Sequence, residues 1–187
     1  MKITLPTALT LFRIALLPVM VVVFYAGFRG ANVAAAAIFI LAATTDWLDG
    51  WIARRFDMMS AFGAFLDPVA DKLMVAVTLF LLVQNNPTPL MAVTSAVIVG
   101  REISISALRE WMAEIGQRAT VRVAVIGKVK TAVQMGAIVV LLYQHEVPDL
   151  RAYFVGEILL MVAAILTIGS GLQYLWAALP YLREEQH

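Results

Sequence analysis

The sequence predicts an all-α integral membrane protein of six transmembrane helices, and three observations carry that reading. Of 187 residues, 61% are hydrophobic and only 14% charged, with a mean hydropathy of +0.84; soluble domains carry about 25% charged residues. Six apolar stretches reach the roughly 20 residues that a helix needs to cross a bilayer core. Turn or charge signals separate them at 27–30, 54–57, 84–89, 114–122 and 145–149. A water-soluble globule is thereby excluded, and so is disorder, because the net charge is only +1. The absence of cysteine excludes a disulfide framework, a cysteine-based zinc cluster and thiol catalysis.

The predicted spans follow in order. Residues 8–28 form the first; Arg13 interrupts it and no small-residue cleavage site follows, so it is expected to be a span and not a removable signal. Residues 33–53 open on the alanine run 34–37, which suits close helix packing, and end in Asp46 and Asp49. Residues 62–83 carry Asp67, Asp71 and Lys72 near their start, 89–112 carry Arg101 and Arg109, and 123–143 carry Lys128 and Lys130. Residues 153–177 form the sixth span. Pro18, Pro68 and Pro180 mark kinks or helix starts, while Pro87 and Pro89 punctuate a loop. These spans use most of the chain, so residues 1–182 read as one six-helix domain and 183–187 as a short polar tail. There is no internal repeat.

Basic residues set the orientation. Six spans put both termini on one side with the 54–57 and 114–122 loops, which together hold Lys2, Arg54, Arg55, Arg118, Arg122 and Arg183. The other side has Arg29 and Arg151. Both termini are therefore expected in the cytoplasm.

Four acids stand where membrane helices should be apolar. Asp46 and Asp49 are spaced i,i+3, and Asp67 and Asp71 i,i+4, so each pair occupies one helix face. The short loop between their helices lets the pairs converge near the cytoplasmic surface. Each acid in the core costs about 2.5–3.5 kcal/mol, and neighbours about 5 Å apart repel by about 3 kcal/mol more at an effective dielectric near 20. Four such groups cannot stand bare: either several are protonated or cations neutralise them. An oxygen-only donor set selects hard cations, Mg²⁺ or Mn²⁺ and in principle Ca²⁺, and two metal ions suit the number of acids and phosphoryl displacement. The alternative is a set of helix-to-helix salt bridges with Arg54, Arg55 and Lys72, although paired acids on adjacent spans are poor structural glue.

The neighbours of the acids narrow the chemistry. Gly50, Ala53 and Gly63 let a flat or bulky group lie against helix backbone. Arg54 adds a planar fork suited to phosphate. Acids, small residues and Arg together suit a nucleotide diphosphate held through metal.

Written out, Asp46-Trp-Leu-Asp49-Gly50-Trp-Ile-Ala53-Arg54, eight residues, Gly63, three residues, Asp67, three residues, Asp71 resembles the CDP-alcohol phosphatidyltransferase signature at every fixed position. The opening Leu5-Pro6-Thr7-Ala8-Leu9-Thr10-Leu11-Phe12-Arg13 resembles that family's first helix, with Thr7 where many members have Asn. Residues 100–111 and 127–131 resemble the bacterial branch that makes phosphatidylglycerophosphate. The resemblance implies the family's six-helix fold with cytoplasmic termini. It implies transfer of a phosphatidyl group from CDP-diacylglycerol to the 1-hydroxyl of sn-glycerol 3-phosphate, with release of CMP, by a homodimer using two divalent ions. It also implies that Asp46, Asp49 and Asp67 bind metal, that Asp71 is the base and shares in metal binding, and that Gly50, Ala53, Arg54 and Gly63 join Asp46 and Asp49 around the CDP moiety.

The acceptor can be argued from the residues alone. Arg101, Arg109, Arg118, Lys128 and Lys130 outnumber the nearby acids, and Glu102 neutralises only one of them. A phosphorylated alcohol fits this surplus; choline, ethanolamine or free inositol does not. On a regular helix Lys128 and Lys130 lie about 200° apart. Lys128 shares a face with Thr131 and Gln134 and is expected to point inward, leaving Lys130 to snorkel unless the helix begins later. The alternative for all five is headgroup contact at the inner surface. Arg13 is expected to brace the acids or a phosphate, or to serve in structural pairing. Trp47, Trp51, Trp111 and Trp176 read as interfacial anchors, Glu110 and Glu114 as solvated, and His145 and His187 as outside the site.

Rival readings are a family member with another acceptor (inositol phosphate, serine or phosphatidylglycerol) and a cation transporter. Transporters commonly show repeated halves with broken helices at the midplane; here there is no such symmetry, and the acids cluster near one surface.

Overall fold

A computed structural model describes residues 4–56, 60–117, 125–143 and 150–184. They form six helices: α1 (Leu5–Tyr25), α2 (Ala31–Phe56), α3 (Ala61–Asn85), α4 (Pro89–Glu114), α5 (Val125–Tyr143) and α6 (Leu150–Glu184). Among the described residues there is no strand. A helix thus stands at each of the six expected spans, with shifted ends. α1 runs three residues earlier than expected, with Pro6 in its first turn and Gly27 following at φ 65, a conformation that ends a helix readily only at glycine. Pro18, Pro68 and Pro180 all lie inside helices. α6 continues through Pro180 to Glu184, so the helix takes in the first residues of the expected tail.

Local chemistry fixes the other boundaries. Ser60 caps α3, its hydroxyl accepting from the Gly63 amide at 2.9 Å, and Thr88 caps α4 by accepting from Met91 N at 3.1 Å, with Pro89 opening the helix. At the far end of α4, Gly116 takes φ 77. Its amide reaches Ala113 O at 3.2 Å and that of Gln117 reaches Met112 O at 2.8 Å, a Schellman stop.

Among the described residues, four helices are long and apolar enough to cross a membrane: α1, α2, α4 and residues 151–181 of α6. The apolar part of α5, Val129–Tyr143, is shorter, and α3 carries Asp67, Asp71 and Lys72 in its first half. The exterior matches a lipid solvent, since Val22, Phe65, Val93, Ile165 and Trp176 are all well exposed. This is a multi-pass membrane protein.

α3 is central, packing against α1, α2, α4 and α5, while α6 closes the bundle against α4 and α5. The buried interior runs through Met20, Phe39, Met74, Leu79, Leu82, Met91, Ile98, Ile138, Leu141 and Leu160. α1 packs along α2, and α2 buries Ala31, Ala35, Ala36 and Ala42, small residues that allow close approach; of the alanine run, Ala35 and Ala36 are among them. Up-and-down connection puts the first half of α1, α3 and α5 at the same end as the second half of α2, α4 and α6. All the polar residues below lie at that end.

Candidate active site

α1 is apolar except for Thr7, Thr10 and Arg13, spaced i, i+3, i+6, and all three are buried. That stripe meets the acids. Arg13 Nη1 donates to Asp46 Oδ1 at 2.6 Å and Arg13 Nη2 donates to Asp49 Oδ2. Thr10 donates to Asp67 Oδ1. Thr7 shares a hydrogen bond with Ser60 at 2.8 Å, pinning α1 to the start of α3. Of the expected structural alternatives for the acids, Arg54, Arg55 and Lys72, none is the partner found for Asp46 and Asp49; that role falls to Arg13. Arg13 and Asp49 are both almost fully buried, whereas the Asp46 side chain is 45% exposed.

The donor chemistry fits hard divalent cations, for these are carboxylate oxygens from adjacent helices, and a cation, the Arg13 guanidinium, already lies between two of them. Among the described residues no three acids are placed to hold one ion together; Arg13 and Thr10 engage three of the four.

Asp71 connects this region to a second. It lines a narrow crevice with Arg13, Ala42, Asp46 and Met135, and also the wall of a cavity of about 210 Å³. Lys72, Arg101, Arg109 and Lys130 face that cavity against two acids, Asp71 and Glu102. Its size falls below the roughly 300–1,000 Å³ of sites for drug-sized ligands. A small anion suits it.

Three of these cations, Lys72, Arg101 and Lys130, are held by a neighbouring helix. Lys72 Nζ donates to Ser106 Oγ on α4 at 2.6 Å and to Pro68 O at 3.1 Å. Arg101 Nη2 donates to Ser170 Oγ on α6 at 2.8 Å, and its guanidinium stacks over the Tyr174 ring, 5.7 Å from the centroid. Gly171 makes room for it: a Cβ there would lie 3.3 Å from Arg101 Cγ. Lys130 Nζ pairs with Glu102 Oε1 at 2.9 Å, and Gln134 Nε2 donates to the same oxygen at 3.2 Å.

This corrects the expectation for α5. Lys130 is buried and lines the cavity, rather than snorkelling to the surface. Glu102 on α4 supplies a partner that a single-helix projection does not include. The Lys128 side chain and the whole of Arg118 lie outside the described residues, as do His145 and His187. Arg101 and Arg109 both line the cavity. Trp47 and Trp176 are strongly exposed, as anchors should be, and Glu110 and Glu114 are exposed.

On α2, the Arg54 guanidinium folds over Gly50, within 3.3 Å of where a Cβ would stand, with Ala53 beside it. Gly63 serves a close approach of another kind. A Cβ there would meet Thr7 Oγ1 at 2.9 Å and Ser60 Oγ at 3.0 Å, so its bareness admits α1.

Sequence reasoning did not assign Thr10, Ser170, Tyr174 or Gln134 to the site. Thr10 was findable, because a Thr-Thr-Arg stripe on an apolar helix marks a face turned to protein.

Residues 3–169 match the CDP-alcohol phosphatidyltransferase family. Among similar curated proteins is the CDP-diacylglycerol–glycerol-3-phosphate 3-phosphatidyltransferase of Sodalis glossinidius, 51% identical over 178 residues, which covers 95% of this chain and 96% of that one. Proteins of the same name from Salmonella typhimurium and Yersinia pestis are each 49% identical with the same coverage.

Proposed function

The chain belongs to the CDP-alcohol phosphatidyltransferase family and is an enzyme, and on that premise we propose that it transfers the phosphatidyl group of CDP-diacylglycerol to the 1-hydroxyl of sn-glycerol 3-phosphate. Phosphatidylglycerophosphate and CMP are the products, which makes this the committed step toward phosphatidylglycerol and cardiolipin. The names of its relatives support both substrates. The observation that carries the reading is the double position of Asp71, in the wall of the basic cavity and on the crevice that leads to Asp46 and Arg13.

Asp46, Asp49 and Asp67, joined by Asp71, would hold two divalent ions, Mg²⁺ or Mn²⁺. Ions bound there supply positive charge for the diphosphate and for the CMP that departs. Gly50, Ala53 and Arg54 line the part of α2 where the CDP moiety lies beside Asp46 and Asp49, with Arg54 offering its fork to phosphate. Gly63 contributes by letting α1 close on α3. Arg101, Arg109 and Lys130, with Lys72, receive the phosphate of the acceptor; Arg118 and Lys128 belong to the same proposed group by sequence. The acceptor hydroxyl then faces Asp71, which takes its proton as the oxygen attacks the lipid phosphorus in line and the bond to CMP breaks. Holding both reactants in neighbouring chambers supplies the proximity such a displacement needs.

The charge distribution favours cytoplasmic termini and an active site at the cytoplasmic face of the inner membrane, where both a soluble phosphate ester and a lipid nucleotide are within reach. A homodimer completes the proposed assembly.

The test is transfer by purified protein in detergent, with CDP-diacylglycerol, glycerol 3-phosphate and Mg²⁺, followed as CMP release and as the new lipid. Release that stops with a chelator and returns with Mg²⁺ or Mn²⁺ supports the reading. No release from folded protein rejects it and turns attention to cation transport.

A further inference from the structure

Gln134 is the most deeply buried polar side chain lining the basic cavity, at 1% exposure, and it is half satisfied. Its Nε2 donates to Glu102 Oε1 at 3.2 Å, the same oxygen that Lys130 Nζ reaches at 2.9 Å. A carboxylate paired with a lysine only accepts hydrogen bonds, so the amide nitrogen must face Glu102 and the amide orientation is fixed chemically. Its Oε1 therefore points elsewhere, and among the described residues it has no hydrogen-bond partner. A buried acceptor left unmade is costly, and at a binding site it marks where a ligand donor belongs.

The rest of the cavity says which donor. The phosphate of a bound ester takes the cationic side chains, Lys72, Arg101, Arg109 and Lys130. Of the two acids, Glu102 has its Oε1 engaged by Lys130 and Gln134, whereas Asp71 also lines the crevice with Asp46 and is the one placed for the attacking hydroxyl. An acceptor with one hydroxyl would then be fully served, with Gln134 Oε1 still orphaned. We propose that Gln134 Oε1 accepts a hydrogen bond from a second, non-attacking hydroxyl of the acceptor, so that Gln134 is a specificity residue and the enzyme selects a phosphorylated polyol over a phosphorylated simple alcohol. This rests on the function proposed above and deepens it.

The experiment compares glycerol 3-phosphate with 3-hydroxypropyl phosphate, which keeps the phosphate and the attacking hydroxyl but lacks the middle one. Wild-type enzyme is expected to favour glycerol 3-phosphate in kcat/KM by about tenfold to a hundredfold, the range for a hydrogen bond to an otherwise unmet buried group. Gln134→Met, similar in length and without the acceptor, should lose that factor on glycerol 3-phosphate and change little on the analogue, bringing the ratio close to one. Equal use of both acceptors by the wild type overturns the proposal without any variant. An unchanged ratio in Gln134→Met, with both rates falling together, also overturns it, since that is the signature of a purely structural glutamine. If the Met variant does not insert, Gln134→Asn draws the amide back by one methylene, and its ratio must shrink as well. Transfer to neither acceptor by wild type rejects the parent reading, and this one falls with it; transfer to both without discrimination rejects this one alone.

Discussion

The tie between α1 and α2 gives the sharpest stability prediction. Arg13 is 2% exposed and donates to both Asp46 and Asp49, the latter with only 4% of its side chain exposed. Arg13→Met preserves much of the side-chain length and removes the charge, leaving the Asp49 carboxylate buried without its cation. Breaking a buried pair from one side costs about 3–5 kcal/mol. Asp46 adds little to this, because it is half exposed and regains water. For a chain of this size each kcal/mol moves the melting point by about 2–4 °C, so the drop should be on the order of 10 °C. The assay is thermal unfolding of purified protein in detergent with a chelator present, so that no cation substitutes for the guanidinium. Adding Asp49→Asn to Arg13→Met removes the stranded charge and should restore most of the loss, because replacing both partners of a buried pair is often close to neutral. A drop under about 3 °C in the single variant, or no recovery in the double variant, would refute the reasoning.

The other predictions concern activity. Asp67→Asn or Asp71→Asn should abolish transfer while membrane insertion, checked by extraction and gel filtration, stays normal; near-normal activity in both would sink the metal and base assignments. Arg109→Ala should raise the apparent KM for glycerol 3-phosphate more than that for CDP-diacylglycerol in steady-state assays, and an equal effect on both would argue against an acceptor site there. Gly171→Ala places a Cβ 3.3 Å from Arg101 Cγ and 3.4 Å from its Nε, so Arg101 must shift by a few tenths of an ångström. The acceptor's KM should rise several-fold with little change for the CDP-lipid, since small displacements of a positioning group are costly, and an unaltered KM would show that Arg101 is not held for that purpose.

Six helices and the two acid pairs were legible in the sequence for the same reason: in a lipid solvent, length of apolar run and intrusion of charge are strong signals. What was not legible was which way each helix turns. A helix of this bundle is apolar on its lipid face and on its packed face, so the usual contrast between sides is lost. Only polar residues reveal the inward face, and a single helix can mislead. Lys130 was expected to snorkel, yet it is buried, because it stands one helical turn from Gln134 and Glu102 on another helix receives both. Ser170 and Tyr174 on α6 were silent for a related reason. Their role exists only through Arg101 of α4, which their own span does not announce. Thr10 and Arg13 lie between these cases: the acids were among the partners expected for Arg13, whereas Asp67 as the partner of Thr10 was not.

The proposed function rests on one pairing, an acidic chamber that would activate a CDP-lipid beside a basic cavity that would take a small phosphate ester. The most direct measurement offers glycerol 3-phosphate, inositol phosphate, serine and phosphatidylglycerol separately to the purified protein with CDP-diacylglycerol and Mg²⁺, and follows CMP. Release with glycerol 3-phosphate alone is the predicted result. Release with serine or phosphatidylglycerol in its place would contradict the assignment of the basic cavity, while leaving the acid pairs their role.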